Sequence, residues 1–548
     1  MTRGTPILLC GAMLLSSVSW APAASRDAGA RLQESSAQGF KVAGTVVDAT
    51  TGEALARARV TLAKVGAGGE RADMTTGEGG HFEFAGVPAG KYSLRGARTG
   101  YIAATYEEHE QFSTAIVTGP EFATEKLVLR LTPTATIAGH VLDEAGEPVR
   151  KSTIQLFLED HGQGIVRVLR LGGATTDDRG YFDFGALRPG AYFVSASAKP
   201  WYAVYPPGES GPEQVPTALD VAYPTTFSGG ATEAEGAEAI VLKGGERQEV
   251  EIRLRPVPAL RLKFQGAKDG GFRMPVLRKF VDSFPVDTQT GEVRSLGPGQ
   301  FQMVGVPAGR YEVSMESAEA GGMAVSEMNL TRDMQDLNQV RGEPLGKLNL
   351  TIKPPEGEVM PGRYGVALRD ARFRFMAYEQ VGENGKVTFG PLKPGKYGIV
   401  IVAQGKRYAV RRTISASGVV DAGYEVSVES GTAMDLTAEL TVGEARIEGV
   451  VKKDGKPLAG VMVALVPQNP EAHVDLFRRD QSDFDGTFVL PGVIPGKYTI
   501  VAVEDAWGFE WLKAGVLARY VQHGQNVIIG GKMHGTVSLP EPVEVQGK

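Results

Sequence analysis

A thirteen-residue block recurs five times in this chain without insertion or deletion. It reads Gly-x-apolar-x-apolar, a short linker, then Gly-x-Tyr. The copies run Gly80 to Tyr92, Gly180 to Tyr192, Gly299 to Tyr311, Gly385 to Tyr397 and Gly486 to Tyr498. Their apolar positions hold Phe82 and Phe84, Phe182 and Phe184, Phe301 and Met303, Val387 and Phe389, Phe488 and Leu490. Glycine fills 71 of 548 positions, so agreement at both block glycines in every copy is not chance. Successive block tyrosines stand 100, 119, 86 and 101 residues apart (192−92, 311−192, 397−311, 498−397). Solenoid repeats run about 20 to 50 residues. A spacing near 100 instead fits modules that each own a core.

Within the block, apolar residues fall two apart with polar neighbours such as His81, Glu83 and Asp183, the period of a strand with one buried face. Proline and glycine then supply what a reversal needs, a preset φ and access to positive φ. A second alternating run begins at each tyrosine, so the block is expected to be an antiparallel hairpin. Modules one, two and five open on Gly-x-Val, at Gly44-Thr45-Val46, Gly139-His140-Val141 and Gly449-Val450-Val451. Modules close on alternating runs, clearest in Leu127–Leu131, Val250–Leu254 and Leu348–Ile352, with Pro133, Pro256 and Pro354 just beyond. Short strands with Gly-rich turns in about 100 residues predict a β-sandwich. The expected modules are 40–133, 134–256, 257–354, 355–442 and 443–548.

The run from Gly44 to Asp48, the Thr51-Gly52 turn, Ala58-Arg59-Val60, then Thr76 to Phe82 and Pro88-Ala89-Gly90-Lys91-Tyr92 resembles the carboxypeptidase regulatory-like domain. Module two resembles it through Thr176 to Phe182 and module five through Asp483 to Phe488. Modules three and four keep the block but lack the Gly-x-Val opening. The resemblance implies an all-β chain, a tandem array of five Ig-like or transthyretin-like antiparallel β-sandwich modules, and it is nearly silent about activity, because such domains serve as accessory, binding or spacer units. Cna B-type relatives carry Lys–Asn cross-links, but the most regular modules have no obvious Asn in the closing strand.

The first residues look like a secretory signal, with Arg3, an apolar stretch from Ile7 to Val18 and small residues at Ala21-Pro22-Ala23. We expect residues 1–24 to be cleaved, 25–39 to be a flexible lead, and the protein to be secreted or periplasmic. The sole cysteine, Cys10, lies in that segment, which leaves the expected mature chain without disulfides or thiolate chemistry. No later run approaches the roughly 18 apolar residues of a membrane span. A net charge of −6 with no block of like charge argues against nucleic acid as a partner.

None of the seven histidines has Glu three residues later, and the Gly-x-Ser-x-Gly and phosphate-loop motifs are missing. No catalytic residue, metal or cofactor is therefore expected. Asp177-Asp178 and Asp483-x-Asp485 precede two of the blocks. They read either as turn formers or as part of a calcium site, which would need six to eight oxygens.

Aromatic clusters are the better lead. Beyond the signal there are three tryptophans, and all follow a block-tyrosine strand: Trp201 with Tyr202 and Tyr205, and Trp507 and Trp511 with Phe509. Rings on loops can stack on the apolar face of a sugar or anchor a protein interface. They can equally plug the end of a sandwich or seal one module to the next. The stretch between Trp201 and Ile240 is a long Pro, Gly and Ala-rich excursion, and its counterpart from Phe509 to Gln522 has room for a short helix. The expected function is polysaccharide binding by an exported, non-catalytic array whose repetition adds avidity. The alternative is a spacer or adhesin that contacts envelope proteins.

Overall fold

Every copy of the block folds the same way, and not as a hairpin. The computed structural model describes residues 39–548 except 67–68, 163, 206–217, 267–273, 280–290, 318–321, 340–341, 371–372, 417, 422, 514 and 532; the expected signal, and the lead up to residue 38, lie outside the described residues. In the first block, strand His81–Val87 buries Phe82, Phe84 and Val87 and leaves His81 and Glu83 exposed, as the alternation predicts. That strand pairs with Phe40–Asp48. The next, Gly90–Ala97, pairs with Arg59–Lys64 in a different sheet. In module two, Tyr181–Leu187 pairs with Ala135–Leu142, while Gly190–Ser197 pairs with Thr153–Asp160. Blocks three and four divide likewise. In module five Thr487–Val493 pairs with Ala445–Lys453 and Gly496–Val503 with Met462–Pro467, but Val543–Gln546 pairs with both sets and joins them into one continuous sheet. The expected hairpin is thus corrected to an arch whose two strands take different partners, in separate sheets in modules one to four.

The tyrosine explains the arch. Its hydroxyl donates to the carbonyl four residues earlier in all five copies: Tyr92 to Pro88 (3.0 Å), Tyr192 to Arg188 (2.7 Å), Tyr311 to Pro307 (2.8 Å), Tyr397 to Lys393 (2.8 Å) and Tyr498 to Ile494 (2.7 Å). The ring is buried under the crossing and occupies space a hairpin partner would need, while the hydrogen bond satisfies a carbonyl that the crossing takes out of the ladder. A Cβ on the second block glycine would lie against the ring edge, 3.6 Å away at Gly190 and 3.1 Å at Gly496. The first block glycine has φ between +68 and +75° in every copy, the left-handed region that glycine enters without a Cβ penalty.

The opening strands explain why modules three and four look different. Gly44, Gly139 and Gly449 stand directly opposite Phe82, Phe182 and Phe488, and a Cβ there would come within 2.7 to 3.0 Å of the ring tip. Module four has Leu350 opposite Val387, exchanging bulk across the same pair. In module three Phe264 faces Phe301, and the rings stack at 5.7 Å. The missing glycine is therefore a compensated change inside one core. Modules one, two and five also share a hydroxyl clamp four residues before the block: Thr76, Thr176 and Ser482 accept from the N–H of Ala58, Ser152 and Val461 and donate to the carbonyls of Leu55, Val149 and Leu458.

Two further expectations need correction. The sandwiches are not wholly antiparallel, because strands late in each module run parallel to its opening strand, as Leu127–Leu131 does beside Phe40–Asp48 and Arg247–Arg253 beside Ala135–Leu142. And Leu348–Ile352, expected to close module three, lies in a strand that pairs with Lys386–Leu392 and Ala433–Gly443. It opens module four, and it was misread because opening and closing strands share one alternation. Among the described residues, five large apolar clusters have their buried members within 42–131, 135–254, 260–337, 348–440 and 445–543.

The glycine–phenylalanine exchange gives a direct test. Gly449→Leu should destabilise by about 1–3 kcal/mol through overpacking. Gly449→Leu with Phe488→Val, which copies the module-four pair, should cost less than the sum of the two single changes. Urea unfolding of the three variants checks this, and simple additivity would refute the compensation.

Candidate functional site

In module five, strands Met462–Pro467 and Gly496–Val503 are apolar on both faces. One face belongs to the sandwich core. The other needs a separate cover, and the chain leaving Gly496–Val503 supplies it: Ala506, Leu517 and Tyr520 pack on Met462, Val466, Val501 and Val503, with Trp507, Phe509 and Trp511 at the margin. The expected helix is the single turn Ala518–Val521. Module two solves the same problem with its own excursion, as Phe227 and Ala234 cover Phe157 and Phe193.

The margin of this cover is where modules meet. Trp507 stacks on His109 of module one at 5.0 Å and 6° and donates its indole N–H to Gly460 O at 3.2 Å. Arg479, from strand Arg478–Gln481, lies 4.4 Å above the Trp511 ring and pairs with Glu110 of module one at 2.6 Å. Trp511 lies close against Gly164 of module two, whose Cβ would fall 2.5 Å from the indole. Beside it Leu512 N–H donates to Gly164 O (3.0 Å) and Val166 N–H to Glu510 (3.0 Å). Phe509 sits 6.0 Å from Tyr520. Tyr205 is buried with Ala222, Ala259 and Val304 between modules two and three, and its carbonyl accepts from Arg294. In the same excursion Val221–Ala222 adds as a strand to Val257–Gln265 of module three.

Trp201 and Tyr202 stand apart from these seams. Trp201 is 87 % exposed and meets Tyr202 edge-on at 5.7 Å. Tyr202 and Tyr223 both donate to Glu144. Burial opposes ionisation of Glu144, but the two phenol hydrogen bonds hold its carboxyl below the usual range. The six predicted ring residues therefore do not form one site. Trp507 and Trp511 share a seam, Phe509 sits in the cover beside it, Tyr205 occupies a second seam, and Trp201 with Tyr202 is presented outward.

The aspartate pairs also divide. Asp177 accepts from the N–H of Arg179 (2.9 Å) and Tyr181 (2.8 Å), which is the turn reading. Asp483 instead reaches across to module one: Oδ2 pairs with Lys91 Nζ at 2.5 Å, and Oδ1 accepts from Ala115 N–H at 3.0 Å. Among the described residues no group of three or more His, Cys, Asp or Glu is placed to hold a metal. Sequence reasoning singled out Asp483 but not its partner Lys91, which sits in the block for other reasons, nor His109, Glu110 and Arg479, which carry no local motif.

Two carboxyls in this region are strained by burial. Asp475 is pushed up to about 6 by desolvation, against the opposing pull of Arg478, and its Oδ1 has no hydrogen-bond partner. Asp480 is pushed up to about 6 by desolvation, against the N–H of Val489. Each rises from 3.8, so the folded state holds the proton more tightly than the unfolded chain. Their contribution to stability is complete below about pH 4 and is lost as pH rises through about 6, on the order of 2–3 kcal/mol each. Asp475→Asn should flatten the fall in unfolding free energy between pH 4 and pH 7; an unchanged slope would refute the assignment.

The family model of the carboxypeptidase regulatory-like domain matches residues 41–119 and 136–223. None of the curated proteins matches the chain. Among solved structures, the Bacillus anthracis TIE protein is similar at 11 % identity over 75 % of this chain and 76 % of its own, with a TM-score of 0.18. A streptococcal ancillary pilin is similar at 14 % over 52 % of this chain and 100 % of its own (TM-score 0.20). BcpA, the major pilin subunit of Bacillus cereus, is similar at 11 % over 73 % and 99 % (TM-score 0.14). The match to that family thus covers the first two modules, in a chain that is nearly all β-strand.

Proposed function

We propose that the chain is a non-catalytic structural scaffold, exported to the cell envelope or beyond it, whose modules make protein contacts. We further propose module boundaries of 40–133, 134–256, 257–345, 346–442 and 443–548. The observation that carries the scaffold reading is the use to which the aromatic rings are put. Tyr205, Trp507 and Trp511 seal module against module and Phe509 packs under the cover beside them, so two of the three tryptophans beyond the leading segment serve the chain's own assembly. The export half of the reading rests on the leading segment with Arg3 and Ala21-Pro22-Ala23.

A second reading, polysaccharide binding, has one observation in its favour. Trp201 presents a nearly bare indole face, and Tyr202 and Glu144 beside it could serve sugar hydroxyls next to a stacked pyranose. The purified chain and Trp201→Ala, passed over a panel of immobilised glycans, separate the two. The scaffold reading expects no retention of either protein. Retention that Trp201→Ala abolishes would overturn it in favour of the sugar.

A further inference from the structure

Gly39–Lys548 form one compact unit, and its first and last modules touch although no chain segment joins them directly. Their joint differs in kind from the cores on either side. Among the described residues of module five, Phe484 alone packs against the apolar cluster of module one, meeting Phe122 at 6.4 Å. No strand pairs across the joint among the described residues. The rest is polar. Lys91 lies between Asp483 (2.5 Å) and Asp485 (3.6 Å) and also donates to Thr487. Gln481 donates to Glu107 O (2.6 Å) and Thr114 (2.9 Å), and Arg479 pairs with Glu110. By contrast, modules two and three are linked by the peptide chain and by a strand of the excursion from one that pairs in a sheet of the other.

We propose that this joint is a reversible latch, held by Lys91 and the Asp483–Asp485 pair, whose opening uncovers apolar rings on both sides, Trp507 and Phe484 on module five and His109 and Phe112 on module one. Each side keeps its own core when the joint parts, because the apolar clusters of modules one and five share almost nothing. What holds the joint is the ion pairs of Lys91 and Arg479 with partly buried carboxylates together with the Gln481 hydrogen bonds; salt acts on the Lys91 pair through its partly exposed ammonium, less strongly than on a fully exposed pair, whereas reversing the charge at Lys91 removes that pair outright. What it hides is apolar: Trp507 stacked on His109 and tilted against Phe112 at 5.7 Å, and Phe484 against Phe122. Separation of locally stable units at a weak polar seam is the usual route of sub-global opening. The latch deepens the scaffold reading by giving the array a closed and an open form. It fails separately from that reading, since glycan retention through Trp201 would leave the joint untouched.

The test uses the chain from Gly39 onward in small-angle scattering and acrylamide quenching of tryptophan emission, first with the unmodified protein from low salt to about 1 M NaCl. Opening should enlarge the radius of gyration and raise the quenching slope roughly two-fold, as Trp507 joins Trp201 in solvent while Trp511 stays against Gly164 of module two, with the far-ultraviolet circular dichroism unchanged. Lys91→Glu should produce the open form already at low salt, and Lys91→Asp with Asp483→Lys should restore the closed one. The latch is overturned if neither salt nor Lys91→Glu changes shape or quenching. It is equally overturned if expansion comes only with loss of the β signal, because the joint would then be part of the cores. The salt titration needs no variant, so a Lys91→Glu chain that fails to fold leaves the test intact.

Discussion

The hydrogen bond from the block tyrosine to the carbonyl four residues back is the interaction on which the rest of each module depends. A β-sandwich must move its chain between sheets roughly 10 Å apart, and every such crossing strips backbone groups of their ladder partners. Here one side chain repairs the crossing and fills the space beneath it, and the two block glycines make room, one through a left-handed φ and the other by leaving the ring edge free. Once the arch is fixed, the strand before it and the strand after it are committed to different partner strands, in separate sheets in modules one to four. The opening strand then has a single place beside the block, opposite Phe82 and its equivalents.

From that frame the differences among modules follow as local exchanges. Glycine opposite phenylalanine, leucine opposite valine and phenylalanine stacked on phenylalanine are three ways to fill one pair position without overpacking. Excursions appear where strands are apolar on both faces. Met462–Pro467 is buried along its whole length, whereas Gly90–Ala97 in module one alternates, and that module has no second cluster of this kind among those described. Covering the second face places rings at the rim, and the rims are what neighbouring modules meet.

Much of this was legible in the sequence, and the reason is periodicity. The five blocks, their buried faces and the all-β class rest on local alternation and on glycines required by geometry, which a single chain displays openly. The arch was not legible, because Pro-Gly followed by a new alternating run reads the same whether the second strand returns to the first or leaves it; only the tyrosine hydroxyl decides, and its carbonyl partner has no signature. Leu348–Ile352 was assigned to the wrong module for a similar reason, since alternation carries no record of which sheet a strand joins. Of the ring residues, the sequence located the loops but not their neighbours. Nothing near His109 or Lys91 announces a partner nearly four hundred residues away.

That separation also explains why the contact between first and last modules is built from polar groups. A module that folds from its own residues, as its separate core implies, meets its distant partner with surfaces already solvated, and a large apolar face left waiting would be an association hazard. Charged and amide groups such as Lys91, Asp483 and Gln481 can wait in water and still select a single register when the surfaces meet. The apolar rings are then confined to the centre of the seam. Arg479 is the hinge of this arrangement in chemical terms: its guanidinium lies over Trp511 and its charge is answered by Glu110. One residue thus ties the cover of module five to the surface of module one and brings the two levels of the structure, core and assembly, into the same few cubic ångströms.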